Sequence, residues 1–183
     1  MSKNIHKLSK TKCYLIGAIE YDSSASLWRD EIKNQLHDLN ILFLDPTDKP
    51  FVEKINEDDV FKANLKKYRE RGNHKQLHRI MSQIRREDLS LVDKSDFTIH
   101  YLDLDKITCG SWEEWFLSIK IKRPSFLVCK QGISKIPLWC YGCVDSSYFF
   151  DNLNDLYELI RGLDSGIIPL DLKRWKLLAP EFR

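Results

Sequence analysis

Two carboxylates occupy positions where acid–base or nucleophilic chemistry could use them. Asp88 lies four residues after Ile84 and three before Leu91, on the apolar stripe formed by Leu77, Ile80, Met81, Ile84 and Leu91. A solvated aspartate belongs on the opposite helix face. A buried carboxyl without a partner would hold its proton toward neutrality, as a general acid requires. The same position admits a structural reading, a helix-terminal aspartate paired with Arg85 or Arg86. The second carboxylate is Glu114 in Gly110-Ser111-Trp112-Glu113-Glu114. Ser111-x-x-Glu114 matches a capping box, which would account for both residues without chemistry. On a helical wheel Glu114 falls opposite Trp112, Trp115 and Phe116, so periodicity does not bury it. Gly110 nevertheless sets this first helical turn just after a strand, where parallel sheets receive ligands.

The elements that must hold these side chains read as alternating strands and helices. Cys13–Ile16, Ile41–Leu44, Phe97–Leu102, Ser125–Cys129 and Tyr148–Phe150 are short apolar runs. Between them lie helical patterns: one with Trp28, Ile32, Leu36 and Leu39 behind N-caps at Ser23, Ser24 or Ser26, and a polar one from Phe51 to Arg71 closed by Gly72-Asn73. Others run from His74 to Lys94, from Ser111 to about Ile121, and through Leu153, Leu156, Leu159 and Ile160. Five strands with intervening helices predict a single α/β domain built on a doubly wound parallel sheet. We place an N-terminal extension at 1–11, the domain at 12–165, and a tail at 166–183 that packs on the body or on a second subunit. The loops at the carboxyl ends of the strands, 17–24, 45–49 and 103–111, are where a ligand is expected.

The 183 residues suit one domain, and 43% hydrophobic with 31% charged residues is an ordinary globular balance that excludes a disordered or fibrous chain. A formal charge of +2 excludes a whole-molecule basic field and disfavours a dedicated nucleic-acid binder. No apolar run reaches the roughly 18 residues of a membrane span, and the basic N-terminus lacks a signal-peptide core, so a cytoplasmic protein is expected. The odd set Cys13, Cys109, Cys129, Cys140 and Cys143 suits reduced thiols. Cys140-x-x-Cys143 has no second ligand pair for zinc and no helical pattern after it for thioredoxin-like chemistry, so two buried or loop thiols are expected. The first strand is followed by Gly17-Ala18-Ile19-Glu20-Tyr21-Asp22, which is neither a dinucleotide fingerprint nor a P-loop.

Taken in order, Tyr14-Leu15-Ile16-Gly17-Ala18-Ile19, Trp28-Arg29, Asp45-Pro46, Asp88-Leu89-x-x-Val92-x-x-Ser95-Asp96-Phe97 and Gly110-Ser111-x-x-Glu114 resemble the nucleoside 2-deoxyribosyltransferase superfamily, which includes the 2'-deoxynucleoside 5'-monophosphate N-glycosidases. The resemblance spans roughly residues 12 to 160. It implies a flavodoxin-like (Rossmann-like) five-stranded sheet, homo-oligomers, Glu114 as nucleophile, Asp88 in protonation of the leaving base, and Tyr14 as the residue that orients the nucleophile. Gly17, Asp96, Asp103, Asp105, Gly110 and Ser111 are the implied substrate-binding positions. Two departures stand out: Trp115 and Phe116 follow the glutamate where the family has Leu or Ile and Gly, and the residues that would hold the 5' group before Gly110 do not align clearly, Thr108 being a further candidate.

The chemistry expected of such residues is cleavage or exchange of the N-glycosidic bond of a 2'-deoxyribonucleoside or its monophosphate, with a free nucleobase as a possible acceptor. A carboxylate captures the oxocarbenium-like anomeric carbon, and a second carboxyl protonates the departing base. No metal or organic cofactor is required. An NAD-cleaving glycohydrolase and a non-catalytic nucleotide-binding module are the alternatives. Residues 61–86 carry nine Lys and Arg against the single acid Glu70; a solvated helical face is the plain reading, and a site for a small 5'-phosphate is the functional one.

Overall fold

The computed structural model describes residues 6–19, 25–48, 59–169 and 175. The expected caps at Ser23 and Ser24, the start of the polar helix at 51–58, and the tail apart from Trp175 lie outside the described residues.

Strand β1 is Lys12–Gly17, in which only Lys12 is exposed. Helix α1 is Leu27–Gln35 and β2 is Leu42–Leu44. Helices α2, Asp59–Glu70, and α3, His74–Lys94, follow. After them come β3 at Phe97–Leu102, α4 at Cys109–Lys120 and β4 at Ser125–Cys129. A four-residue helix, α5 at Leu138–Tyr141, precedes β5 at Phe149–Phe150, and α6 spans Leu153–Ser165. The strands pair in the order β2-β1-β3-β4-β5, every pair parallel. This is the flavodoxin-like order, and it puts the topological switch point between β1 and β3.

Near-continuous apolar strands are required because helices cover both faces of the sheet. Alternate residues face opposite layers. Cys13, Leu15, Ile99 and Val128 meet Ile32 and Leu36 of α1 and Leu156 and Ile160 of α6. Tyr14, Ile16, Leu102, Leu127 and Cys129 meet Val92 of α3, Trp115 of α4 and Cys140 of α5. A fully buried aliphatic such as Ile32 or Leu36 contributes about 1.5–3 kcal/mol to this packing. Before β1, Leu8 is buried and its amide donates to the Asp164 carboxylate at the end of α6 (2.9 Å). Trp175 is buried in the second layer, where its indole N–H donates to the Tyr148 hydroxyl.

Several boundaries differ from the sequence expectation. Helix α4 begins at Cys109 behind Thr108, which makes no side-chain capping bond. Ser111 is therefore a buried residue of the first helical turn, and the Ser111–Glu114 capping box does not form. Ser111 is buried, and Ser118, seven residues on, faces the sheet, its Oγ 2.6 Å from Ser125 Oγ of β4. Ser26 precedes α1 without a side-chain cap. Cys140 sits on the short helix α5, opened by Pro137, where no helical pattern is visible in the sequence.

Candidate active site

Tyr14 projects from β1 into the layer of α3 and α4 and is fully buried. Asp88 comes from the half of α3 that reaches the sheet, one turn after Ile84 and one before Val92, and is 9% exposed. Its neighbour Arg85 is engaged elsewhere, by a two-pronged bond to Glu113. Glu114 lies in the second turn of α4 beside the inward residues Ser111, Trp115 and Ser118, and is half-buried. The stripe Ser111, Glu114/Trp115, Ser118 has helical spacing. An apolar wheel hides it because two of its members are serines.

Glu114 and Asp88 both lie within electrostatic reach of the Tyr14 phenol. Burial raises the phenol well above its ordinary range, and the charges of Glu114 and then Asp88 raise it further, while Arg29 pulls the other way. The Tyr14 hydroxyl closes no hydrogen bond of full geometry. Glu114 is nevertheless near enough to act on it by charge and by hydrogen bonding. A phenol that stays protonated is a donor in waiting for a carboxylate.

Arg29 is the residue that sequence reasoning passed over. It is fully buried, lies 4.3 Å over the Trp28 ring, donates to the Gly17 carbonyl (3.0 Å) and faces Asp45 at 3.5 Å. Its position was legible: it stands three residues before Ile32 and seven before Leu36, on the inward face of α1. Asp45, buried at the end of β2, also holds Lys33 at 2.5 Å and accepts from the Thr47 amide and hydroxyl. Burial would raise its carboxyl, but Lys33, Thr47 and Arg29 outweigh that and hold it below the ordinary value. His100 of β3 was missed as well. It is fully buried, with Trp112 at 5.3 Å edge-on and Trp115 at 6.1 Å. Burial, then the Arg29 charge, pushes its pKa down to about 3, so it is neutral.

The remaining sequence candidates divide. Gly17 ends β1 beneath the Trp28 ring, and a Cβ there would meet Trp28 Cζ2 at 2.6 Å and the Tyr101 carbonyl at 3.1 Å. Gly110 is exposed in the first turn of α4, with open space where a Cβ would lie. Asp103 follows β3 at the ligand end of the sheet, where its carboxylate accepts from Lys130 Nζ and Gln131 Nε2 (both 2.7 Å). Burial acts to raise it, and these bonds prevail and lower it. Asp105 is exposed and accepts from Gln131 at 3.1 Å. Asp96 is not brought to the cluster. It opens β3 at the opposite end of the sheet, where its carboxylate accepts from the Lys12 amide (2.8 Å) and fixes the β1–β3 register.

Among the described residues no three His, Cys, Asp or Glu side chains are grouped to hold a metal ion, and no helix is long and apolar enough to cross a membrane. All five cysteines are free. Burial and then the neighbouring Cys143 raise Cys140 to about 11, which makes it a poor nucleophile.

No family model matches the chain, and no curated protein matches it. Among solved structures, the 2-deoxyribosyltransferase of the psychrotolerant bacterium Bacillus psychrosaccharolyticus superimposes with a TM-score of 0.55 at 17% identity, over 80% of this chain and 90% of that one. The two chains share a fold. In this chain the fold is a five-stranded parallel sheet with helices on its two faces.

Proposed function

We propose that this chain is a nucleoside 2-deoxyribosyltransferase-like enzyme that cleaves or exchanges the N-glycosidic bond of 2'-deoxyribonucleosides or their 5'-monophosphates. The placement of Asp88 on α3 and Glu114 on α4, both within electrostatic reach of the buried Tyr14 of β1, carries this reading. Its setting, beside the switch point of a sheet shared with a 2-deoxyribosyltransferase, supports it.

In this reading a Glu114 oxygen attacks the anomeric carbon as the bond to the base nitrogen breaks, and that bond's electron pair leaves with the base. Asp88 delivers a proton to the departing base, which makes it a better leaving group. Tyr14 steadies the Glu114 carboxylate, and its hydroxyl lets go of one oxygen as that oxygen becomes an ester. A second base, or water, then attacks the glycosyl-enzyme from the other face, with Asp88 accepting the acceptor's proton. Two displacements give net retention at the anomeric carbon. Arg29 and Asp45, clustered behind Gly17, keep the end of β1 in place.

Chromatography of deoxynucleosides and deoxynucleoside monophosphates, each with and without a free acceptor base, tests the proposal. Base release or exchange is expected, and Glu114→Ala should reduce it by at least about 1,000-fold while the fold persists. Full activity in that variant would refute the assignment.

A further inference from the structure

The near-neutral charge of the chain conceals a segregation that the fold makes spatial. Between residues 59 and 86 stand nine Lys and Arg against two acids, and the remainder of the chain is net acidic. These residues form the α2–α3 hairpin, turned at Gly72 with its positive φ of 68°. Helix α2 packs principally on α3. The buried positions of α3 begin only at Ile84, so none of its first ten residues is fully buried. Lys75, Arg79 and Arg86 are all exposed. At 100° per residue they fall within about 40° of one another on the face opposite the inward residues Leu77, Ile80 and Ile84. The stripe is about 16 Å long at 1.5 Å per residue, close to the rise of five phosphates along one strand of a duplex. Arg85 by contrast is committed to Glu113, and Lys66 to Glu70.

We propose that the α2–α3 hairpin binds the phosphate backbone of a duplex nucleic acid, with Lys75, Arg79 and Arg86 as the contact stripe. The residue between the cations on this face is Ser82, which is exposed. The stripe therefore lacks the apolar wedge that a helix lying in a lipid surface needs. It also lacks aromatic side chains, and Tyr68 of α2 is half-buried, so stacking on single-stranded bases is not built in. Charge alone, spaced along a rigid helix, fits backbone contact without sequence readout. The proposal is independent of the glycosidic reading.

Fluorescence anisotropy on the full chain with a labelled duplex of about 20 base pairs tests it as a function of salt. The variant Lys75→Gln/Arg79→Gln/Arg86→Gln removes the stripe and keeps good helix formers. Lys10→Gln/Lys120→Gln/Lys135→Gln removes the same charge elsewhere. The stripe variant should lose at least about tenfold in affinity at low salt, and its slope of log affinity against log salt should shrink by about 2 to 3, while the control keeps the parent values. Absence of binding at about 0.05 M salt would overturn the proposal. So would equal losses in both variants, an unchanged slope, tighter binding to phosphatidylserine vesicles than to the duplex, or sedimentation showing that the stripe holds two copies of the chain together.

Discussion

Tyr14 of β1 packs in the layer that holds Trp115 of α4, and the adjoining Glu114 carboxylate acts on the buried phenol by both charge and hydrogen bonding. Neither residue is remarkable alone in the sequence, and they are 100 positions apart. What joins them is the order β2-β1-β3-β4-β5, which sets β1 beside β3 and hence beside the start of α4. The phenol stays protonated through the physiological range because burial and two carboxylates oppose its ionisation.

Removing that hydroxyl separates its chemical from its structural contribution. Tyr14→Phe should lower kcat for base release about 10- to 100-fold. Because Glu114 is only half-buried and can turn to water once the hydroxyl is gone, urea denaturation should place the variant within about 1 kcal/mol of the parent. A kcat equal to the parent's would remove Tyr14 from the reaction.

Asp88 is assigned to the proton of the leaving base. Asp88→Asn should therefore slow poor leaving bases more than good ones, with a difference of at least about tenfold between the extremes in single-turnover rates. Equal losses across bases would mark Asp88 as a structural residue of α3.

His100 makes a thermodynamic prediction. An unfolded histidine takes its proton near pH 6.5, whereas the buried ring holds out to about 3. Its neutral form therefore favours the folded state fully above about pH 6.5, and stability falls as the pH drops below that, because only the unfolded chain gains the proton. Between pH 7 and 5 this group alone costs about 2 kcal/mol. In urea titrations at the two pH values the parent should lose about 2 kcal/mol more unfolding free energy from pH 7 to 5 than His100→Gln does. Parallel behaviour would mean that the ring titrates in the fold.

Gly17 is required by close approach. An alanine Cβ would stand 2.6 Å from Trp28 Cζ2, so Gly17→Ala should destabilise by about 1–3 kcal/mol in urea. An unchanged midpoint would show that the Trp28 ring can move aside.

Much of this was legible from apolar periodicity. β3 and β4 fall on the predicted residues Phe97–Leu102 and Ser125–Cys129, and the inward place of Asp88 followed from Ile84 and Leu91. Glu114 was harder to read, because the stripe beside it is marked by Ser111 and Ser118 and the apparent capping box points the wrong way. Arg29 and His100 escaped for a related reason. Arg29 stands at inward spacing from Ile32 and Leu36, but a cation among apolar residues is read as solvated, and a histidine in a strand buried on both sides carries no periodic signature of its own. The misplacement of Asp96 was one of direction: a residue opening a parallel strand lies at the far end from the crevice, and the Lys12 amide claims its carboxylate.

If Glu114 is the nucleophile, it bonds covalently to the sugar. Intact-mass and peptide-mapping spectrometry after rapid acid quenching of the chain with a deoxynucleoside tests it most directly. A deoxyribosyl adduct is expected on the peptide bearing Glu114, absent from Glu114→Gln and discharged by added base or water. Base release without that adduct, undiminished in Glu114→Gln, would contradict it.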